Sequence, residues 1–334
     1  MHERGQIQIN VAIIGCGNIG HKRAQAIKSF IKISACFDID LEVSRNFALV
    51  HDTKAVNSLN DIFSDNNIEI VIISTRHDSL TDISMAAIDS GKHVFVEKPA
   101  AINSKDFELV LKALSKKRKM KFHVGYNHRY HPSILEASKF TEAKEFGELM
   151  FLRARYGHGG RIGYEHEWRS KKEISGGGEL IDQGSHLLDL CLMFLGNISL
   201  EYAATPNYFW KSPVEDNAFI VVKNEVGAIG FLHASCTEWK NMFSLELYFE
   251  KCKLDINGLG GSYGPESLTI HKMSKKMGPP DSVKMEFEGN DDSWEIEFQI
   301  FLNDIIQDSN LSDNVQSSKK VLEIISEVYD RSGR

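Results

Sequence analysis

Asp182 and His186 stand four residues apart behind the run Gly176-Gly177-Gly178. On a helix that spacing puts both side chains on one face. Histidine is the usual general base near neutral pH, and a carboxylate one turn away can orient it. The same pair also reads as an ordinary i, i+4 contact, or as two metal ligands for which no third residue has an obvious place. A second group is Lys98 in Glu97-Lys98-Pro99, directly after the apolar run 93–96. A lysine at the C-terminal end of a buried strand can donate to a substrate hydroxyl, because ligands of open α/β sheets bind there. On the tripeptide alone it reads as a surface lysine. The third group is Gly15-Cys16-Gly17-Asn18-Ile19-Gly20, which follows the apolar run 11–14. Glycines at that spacing permit a tight turn and a close approach of backbone to a pyrophosphate at a helix N-terminus. Asp38 lies 18 residues beyond Gly20. An acid there can hold the adenosine ribose hydroxyls and repel a 2′-phosphate, which favours NAD over NADP; Asp40 competes for the role.

Those residues need elements to hold them. Up to about Tyr126, starting near residue 7, short apolar runs alternate with amphipathic stretches. The runs 11–14, 31–37, 68–73, 93–96 and 120–124 have the continuous apolar character of strands buried on both faces. Segments 19–30, 41–50, 80–89 and 104–117 read as helices. Ser58 with Asp61, and Asn103 with Asp106, mark helix starts. Strand–helix alternation implies βαβ units and a parallel sheet. After Tyr126 the rhythm changes. A helix is expected from Pro132 to about 145, then strands at 149–156, 218–222, 228–235 and 244–249, with a hairpin-type turn at 224–227. A long apolar helix over 179–195 ends at Gly196, a plausible C-cap. Helices near 294–307 and 318–329 close the chain, and 272–280 is loop-like. The fold class is therefore α/β: an N-terminal Rossmann parallel sheet plus a C-terminal α+β domain with a large, mostly antiparallel sheet. The domains are expected at 1–126 and 127–334, with the last helix packing back on the first.

Composition bounds the function. The chain has 334 residues, a hydrophobic fraction of 42% and a charged fraction of 25%, enough for two packed domains without staples. A net charge of -7 argues against a general binder of nucleic acid or anionic membrane. Cys16, Cys36, Cys191, Cys236 and Cys252 form no C-x-x-C pair, which suits a reducing, cytoplasmic setting and no structural zinc. Met1 to Asn10 is polar, so no signal peptide is read, and no apolar run approaches the length of a membrane span.

The three motifs in this order, together with Gly125-Tyr126-Asn127-His128-Arg129-Tyr130-His131-Pro132 and Trp168-Arg169, resemble the Gfo/Idh/MocA oxidoreductases over nearly the whole chain. The resemblance implies an NAD-dependent enzyme acting on a CH–OH group. Lys98 is then the active-site lysine that contacts the reacting hydroxyl. Asp182 and His186 are the catalytic pair, with His186 the proton acceptor. Glu97 and Asn127 lie near the nicotinamide ribose and carboxamide. Trp168 and Arg169 fall on the cofactor side, and Trp168 with Asp189 supports the pocket. A cis Lys98-Pro99 bond is implied as well. One stretch departs from the family, which commonly has Thr-Pro-Asn and then a histidine. Here Ser74-Thr75-Arg76-His77-Asp78-Ser79-Leu80 occupies that place, so contacts to the cofactor from Ser74, Thr75 and Arg76 are expected but altered.

For the substrate, residues 153–172 hold Arg153, Arg155, Arg161, Arg169, Lys171 and Lys172 against Glu165 and Glu167. With the aromatic residues among them this reads as a wall for an anionic polyol such as a sugar phosphate or nucleotide sugar, or as a solvated basic face. Arg129, Arg155, Tyr156 and His158 join Lys98, Asp182 and His186 as expected substrate contacts. A neutral sugar or cyclitol, an NAD-dependent glycosidase using transient oxidation, and a non-catalytic NAD-sensing protein are the other readings. A homodimer or homotetramer through the C-terminal sheet is expected, and neither nucleic acid nor membrane as partner.

Overall fold

The first third of the chain folds as its apolar runs require. A computed structural model describes residues 9–309 and 314–333. The polar start of the chain and the first part of the expected alternation, up to residue 8, lie outside the described residues. Strands β1 (Asn10–Ile14), β2 (Lys32–Phe37), β3 (Ile68–Ile73), β4 (His93–Glu97) and β5 (Phe122–Gly125) pair in parallel in the order β2-β1-β3-β4-β5. Val11 to Ile14 and Ile70 to Ile73 are fully buried, the reason these strands are apolar without alternation. Outside β2, Ala55 makes an isolated parallel bridge to Cys36. Counted as a strand in chain order, it makes the order 3-2-1-4-5-6, that of dinucleotide-binding sheets.

Helices Asn18–Ile27, Leu41–His51, His77–Asp89 and Ser104–Lys116 connect the strands. The third begins three residues before its expected start, because His77 and Leu80 are both buried and extend its apolar face. Ser58 and Asp61 form a reciprocal capping box at the short helix Leu59–Phe63. Helix Ser293–Ile306 supplies Phe298 and Phe301 to the core around Val11, Ile13 and Phe95. Contacts accordingly divide the chain into one unit of residues up to Ala101, Lys105–Gly125 and Trp294–Gln316, and a second unit of Ile102–Ser104, Tyr126–Ser293 and Ser317–Arg334. The segment that rejoins the first unit is thus the penultimate helix; most of the last, Asn314–Ser332, stays with the second. At the open side of β5, the Asn314 carboxamide accepts from Val124 N–H at 2.6 Å and donates to the Val124 carbonyl at 2.9 Å.

The second unit is built on eight strands: β6 (Leu149–Gly157), β7 (Ile198–Ala204), β8 (Asn217–Asn224), β9 (Ile229–Ser235), β10 (Met242–Phe249), β11 (Cys252–Asn257), β12 (Glu266–Lys272) and β13 (Asp281–Phe287). Their order is β13-β12-β11-β10-β6-β9-β8-β7, and only β6 with β9 runs parallel. Strands β7, β11, β12 and β13 are absent from the sequence-based expectation. They carry Ser, Lys, Glu and Asp at alternate positions, and β13 is mostly exposed, so they lack an apolar run. The expected turn joins β8 to β9, with Asn224 Oδ1 accepting from the amides of Val226 and Ala228. Pro132 opens helix Pro132–Ala143. The expected helix over 179–195 is two pieces: a π-helical turn, Leu180–Gly184, then an α-helix, Ser185–Leu195, capped at Gly196 with φ 73°. No helix among the described residues is long and apolar enough to cross a membrane.

Candidate functional site

In the first unit, every motif residue lies at the C-terminal end of a strand, where the sheet's order reverses around β1 and β3. Gly15 has φ +94°, and a Cβ there would meet the Ser74 carbonyl carbon at 2.6 Å. A Cβ on Gly20 would lie 2.1 Å from the Gly15 oxygen, whereas one on Gly17 would meet nothing within 4 Å. Gly15 and Gly20 therefore serve the turn and the packing, and Gly17 leaves open space over the helix start. That helix, beginning at Asn18 and Ile19, has no side-chain cap and no acid in its first turn. Its first amides and the positive end of its dipole are left for an anion. Asp38 Oδ2 accepts from Cys16 N–H at 2.8 Å and Oδ1 from Asp40 N–H at 3.0 Å, which fixes the carboxylate beside the loop. Asp40 instead caps helix Leu41–His51, its Oδ1 accepting from the amides of Glu42 and Val43 rather than from the glycine loop. These features fit a pyrophosphate on the helix start and a ribose on Asp38.

The Ser74 hydroxyl donates to the Gly15 carbonyl at 2.7 Å, and Thr75 Oγ1 accepts from the Ser79 hydroxyl at 2.9 Å. Arg76 reaches Asp78 at 3.2 Å with its guanidinium over half exposed. Lys98 follows β4 and is joined to Pro99 by a cis peptide, as expected. Beneath it lies a charged core with no precedent in the sequence reading. Arg23 is fully buried, 2.5 Å from Glu97 and 2.8 Å from Glu297, with its guanidinium 4.3 Å and 4.4 Å from the ring centres of Phe95 and Trp294. Burial pushes the Glu97 carboxyl up, the Arg23 charge opposes it, and Glu297 pushes the same way as burial. Glu97 is thus held from below. A cation on the buried stripe Gly20, Arg23, Ala24, Ile27 was the signal that could have exposed this network.

In the second unit, the glycine triplet is explained by what lies against it. A Cβ on Gly177 would fall 1.9 Å from the Tyr329 hydroxyl, and one on Gly178 2.0 Å from the Glu215 carbonyl oxygen. Glu215 Oε1 accepts from Gly178 N–H, Leu180 N–H and the Tyr329 hydroxyl, tying down the first turn. The π-helical turn then carries Asp182, and His186 begins the α-helix; such turns recur at functional sites. Both side chains are buried. Asp182 accepts from Arg169 Nε at 3.1 Å, and the Arg169 guanidinium stacks on Trp168. The His186 ring centre is 3.8 Å from that of His128, with Tyr126 and Tyr156 edge-on at 5.7 Å and 5.8 Å.

His158 Nε2 lies 3.6 Å from Glu179, which also accepts from the Tyr164 hydroxyl at 2.9 Å. Burial works against a charged His158, but Glu179, aided by Asp182, outweighs it and holds the imidazole above its ordinary value. The helix start therefore gathers His186, Asp182, Arg169, Tyr156 and His158, around two acids and several phenols. Glu179 and His128 lie beside or inside motifs whose spacing assigns them no role, and Glu215 lies in no motif, so the sequence carries no signal for it.

Other expected contacts go elsewhere. Arg155 stands on the face of β6 opposite Tyr156, because neighbouring strand residues point to opposite faces; it cannot join the Tyr156–His186 cluster. Three of the six cations of the basic stretch are paired with acids, Arg161 with Glu167 of the same stretch at 2.7 Å, Arg153 with Glu246 at 2.8 Å and Arg169 with Asp182. Arg129 spends its fork on Asp189, at 2.7 Å and 2.6 Å. Asn127 donates its amide to the Ser293 hydroxyl at 2.9 Å.

Comparison with known proteins bears on these two units. Residues 9–126 match the model of the GFO_IDH_MocA oxidoreductase family with NAD-binding Rossmann fold, and residues 134–255 match the GFO/IDH/MocA C-terminal domain. Inositol 2-dehydrogenase of Salmonella typhimurium is 26% identical over 156 residues, 44% of this chain and 46% of that protein. Levoglucosan dehydrogenase of Pseudarthrobacter phenanthrenivorans is 25% identical over 223 residues, 62% of this chain and 56% of that protein. The chain spans about half the length of the curated relatives it matches. Among solved structures, a levoglucosan dehydrogenase in complex with NADH and levoglucosan superposes with TM-score 0.88 at 20% identity, covering 97% of each chain, a likeness of fold.

Proposed function

Because the chain belongs to the Gfo/Idh/MocA oxidoreductase family and its N-terminal unit is an NAD-binding Rossmann domain, we propose that it is an NAD-dependent dehydrogenase of a secondary alcohol in a neutral sugar, anhydrosugar or cyclitol. The observation that carries this is the buried Asp182 and His186 at the junction of π and α turns, ringed by polar and aromatic side chains. NAD would be held by the glycine turn, the first amides of helix Asn18–Ile27 and Asp38, and would supply the hydride acceptor for the carbinol carbon. His186 takes the hydroxyl proton, and a ketone forms. Asp182, fixed by Arg169, orients the hydroxyl and the imidazole. Lys98, which the family resemblance gives as the lysine that contacts the reacting hydroxyl, would supply a donor to the developing charge, a contribution of the order of 10²–10³ in rate.

A neutral substrate is supported over a sugar phosphate because three of the four arginines of 153–172 are already paired with acids, and the fourth, Arg155, stands on the exposed face of β6 away from Tyr156. The relatives' names, inositol and levoglucosan dehydrogenase, denote enzymes of uncharged polyols. Five free cysteines, all buried, support a reducing, cytoplasmic setting. A second copy on the outer face of the large sheet is part of the same proposal.

The test is NADH formation, followed by its absorbance, across monosaccharides, disaccharides, anhydrosugars and cyclitols. At least one is expected to reduce NAD. His186→Ala is expected to cut turnover by roughly 10²–10⁴ with NAD affinity nearly unchanged. Reduction of NAD by none of these alcohols, or near-normal turnover of the alanine variant, rejects the proposal.

A further inference from the structure

Some of the largest rings exposed on the second unit are gathered in one place. Tyr208, Phe209 and Trp239 are 71%, 57% and 63% exposed. Phe209 meets Trp210 edge-on at 5.1 Å and Trp239 edge-on at 4.7 Å. The backbone that presents them is held tightly. One carboxylate, Asp216, accepts from three successive amides, Tyr208 at 2.9 Å, Phe209 at 2.7 Å and Trp210 at 3.0 Å. Burial alone would raise that carboxyl, but its hydrogen bonds from Asn217 and from these amides hold it below the ordinary range. Asn207 bridges the same loop by donating to the carbonyls of Ser212 and Val214. Trp210 is anchored through Nε1 to the Cys236 carbonyl at 2.9 Å and lies against Gly160, where a Cβ would be 2.4 Å from its ring. Trp239 adopts φ 57°, a left-handed conformation that a tryptophan holds only where its surroundings impose it.

Ordering a loop and straining a tryptophan both oppose folding, and rings left in water return little of that cost. The cluster is also continuous with the polar group at the helix start. Glu238 N–H donates to the His158 carbonyl at 3.0 Å, and a Cβ on Gly159 would lie 2.9 Å from the Trp239 backbone. Trp210 packs 5.6 Å from Tyr164, whose hydroxyl binds Glu179. Exposed Lys211 and Lys240 and half-buried Glu238 rim the rings with hydrogen-bonding groups. Three rings are too small a patch for a protein interface of ordinary size. Because Phe209 and Trp239 stand at 82° to each other, one ring can lie flat on the C–H face of a pyranose while the other walls its edge, with the sugar hydroxyls turned to that rim.

We propose that Phe209 and Trp239, with Tyr208, form a stacking platform for a second sugar ring, so that the preferred substrate is a disaccharide or other glycoside whose reacting ring sits at His158 and Asp182. This rests on the polyol dehydrogenase proposal above and narrows its substrate class.

The test is calorimetric binding, in the presence of NADH, of cellobiose, maltose and sucrose against glucose and myo-inositol, for the native chain and a Phe209→Ala/Trp239→Ala double variant. At least one disaccharide is expected to bind on the order of ten-fold or more tightly than glucose. The double variant should lose that increment while leaving single-ring binding and melting temperature unchanged. No preference for a disaccharide, or a preference that survives in the double variant, overturns the platform. So does a shift of the double variant to a smaller oligomer, which would give the rings to a protein partner. The dehydrogenase proposal is judged separately, by NADH formation, and can fail while ring-dependent disaccharide binding stands.

Discussion

A carboxylate can serve about four donors, and Asp38 and Asp40 each accept from two amides. They differ in where those amides lie: Asp40 caps its own helix, whereas Asp38 is tied through Cys16 N–H to the glycine turn, with acceptor capacity left for a ribose diol. NAD is therefore expected to bind more tightly than NADP, and Asp38→Ser is expected to narrow the gap. Titration calorimetry with both cofactors decides it, and tighter NADP binding by the native chain would refute the role. His158 gives a pH signature. Its folded value is raised by Glu179, so its contribution to stability is complete below the ordinary value of 6.5 and is lost as pH rises through the raised folded value. Melting temperature should fall with rising pH across that window, and Glu179→Gln should flatten the slope. An unchanged slope in the variant would show that the pair contributes nothing. Of these residues the glycine loop and Asp38 stood out by their spacing between strand and helix, whereas Lys98, Asp182 and His186 gained their expected roles only from the family resemblance, since alone they read equally as a surface lysine and an i, i+4 pair. Arg155 was misplaced because charge density along a chain does not say which face of a strand a residue takes.

At the scale of elements, the helix Asn18–Ile27, strand β4 and helix Ser293–Ile306 meet at one buried guanidinium. Arg23→Met would leave Glu97 and Glu297 buried without their cation. Loss of about 3–5 kcal/mol is expected, as for other buried pairs broken on one side. Urea unfolding measures it, and a loss near zero would mean that the carboxylates find protons or water at little cost. The alternation of strands and helices in the first unit was readable because strands buried on both faces must be apolar throughout. The second sheet was half readable. Its buried face supplies only every second residue, and in β13 the exposed positions dominate. The break of 179–195 into π and α turns had no signal in periodicity, since one widened turn leaves Asp182 and His186 on nearly the same side.

At the scale of the whole molecule, the outer face of the large sheet is apolar at its centre. Phe151 and Ile229 are exposed there opposite each other and Phe231 opposite Arg153, with Phe151 stacked on Tyr248 at 4.2 Å and Phe219 on His233 at 4.3 Å. Arg153 and Glu246 pair beside them. A patch of that kind suits a second copy of the chain related by a two-fold axis. Light scattering after size exclusion is expected to report a dimer or a higher oligomer, and Phe231→Glu to shift it toward monomer. A native chain that is monomeric at micromolar concentration would end this proposal.

The parallel sheet of the first unit raises a different matter, that of self-association gone wrong. Its two outer strands are where another chain could add itself by backbone pairing. On one side residues 54–56 occupy the groups of Cys36. On the other, the Asn314 carboxamide imitates a peptide unit and takes both the N–H and the carbonyl of Val124. One side chain thus stands in for a missing neighbour strand and denies the edge to strangers. Asn314→Leu would keep much of the bulk but return two unpaired backbone groups to that edge. Fibril-like aggregation on mild heating, seen by thioflavin fluorescence, should then set in at lower temperature than in the native chain, before the fold as a whole is lost.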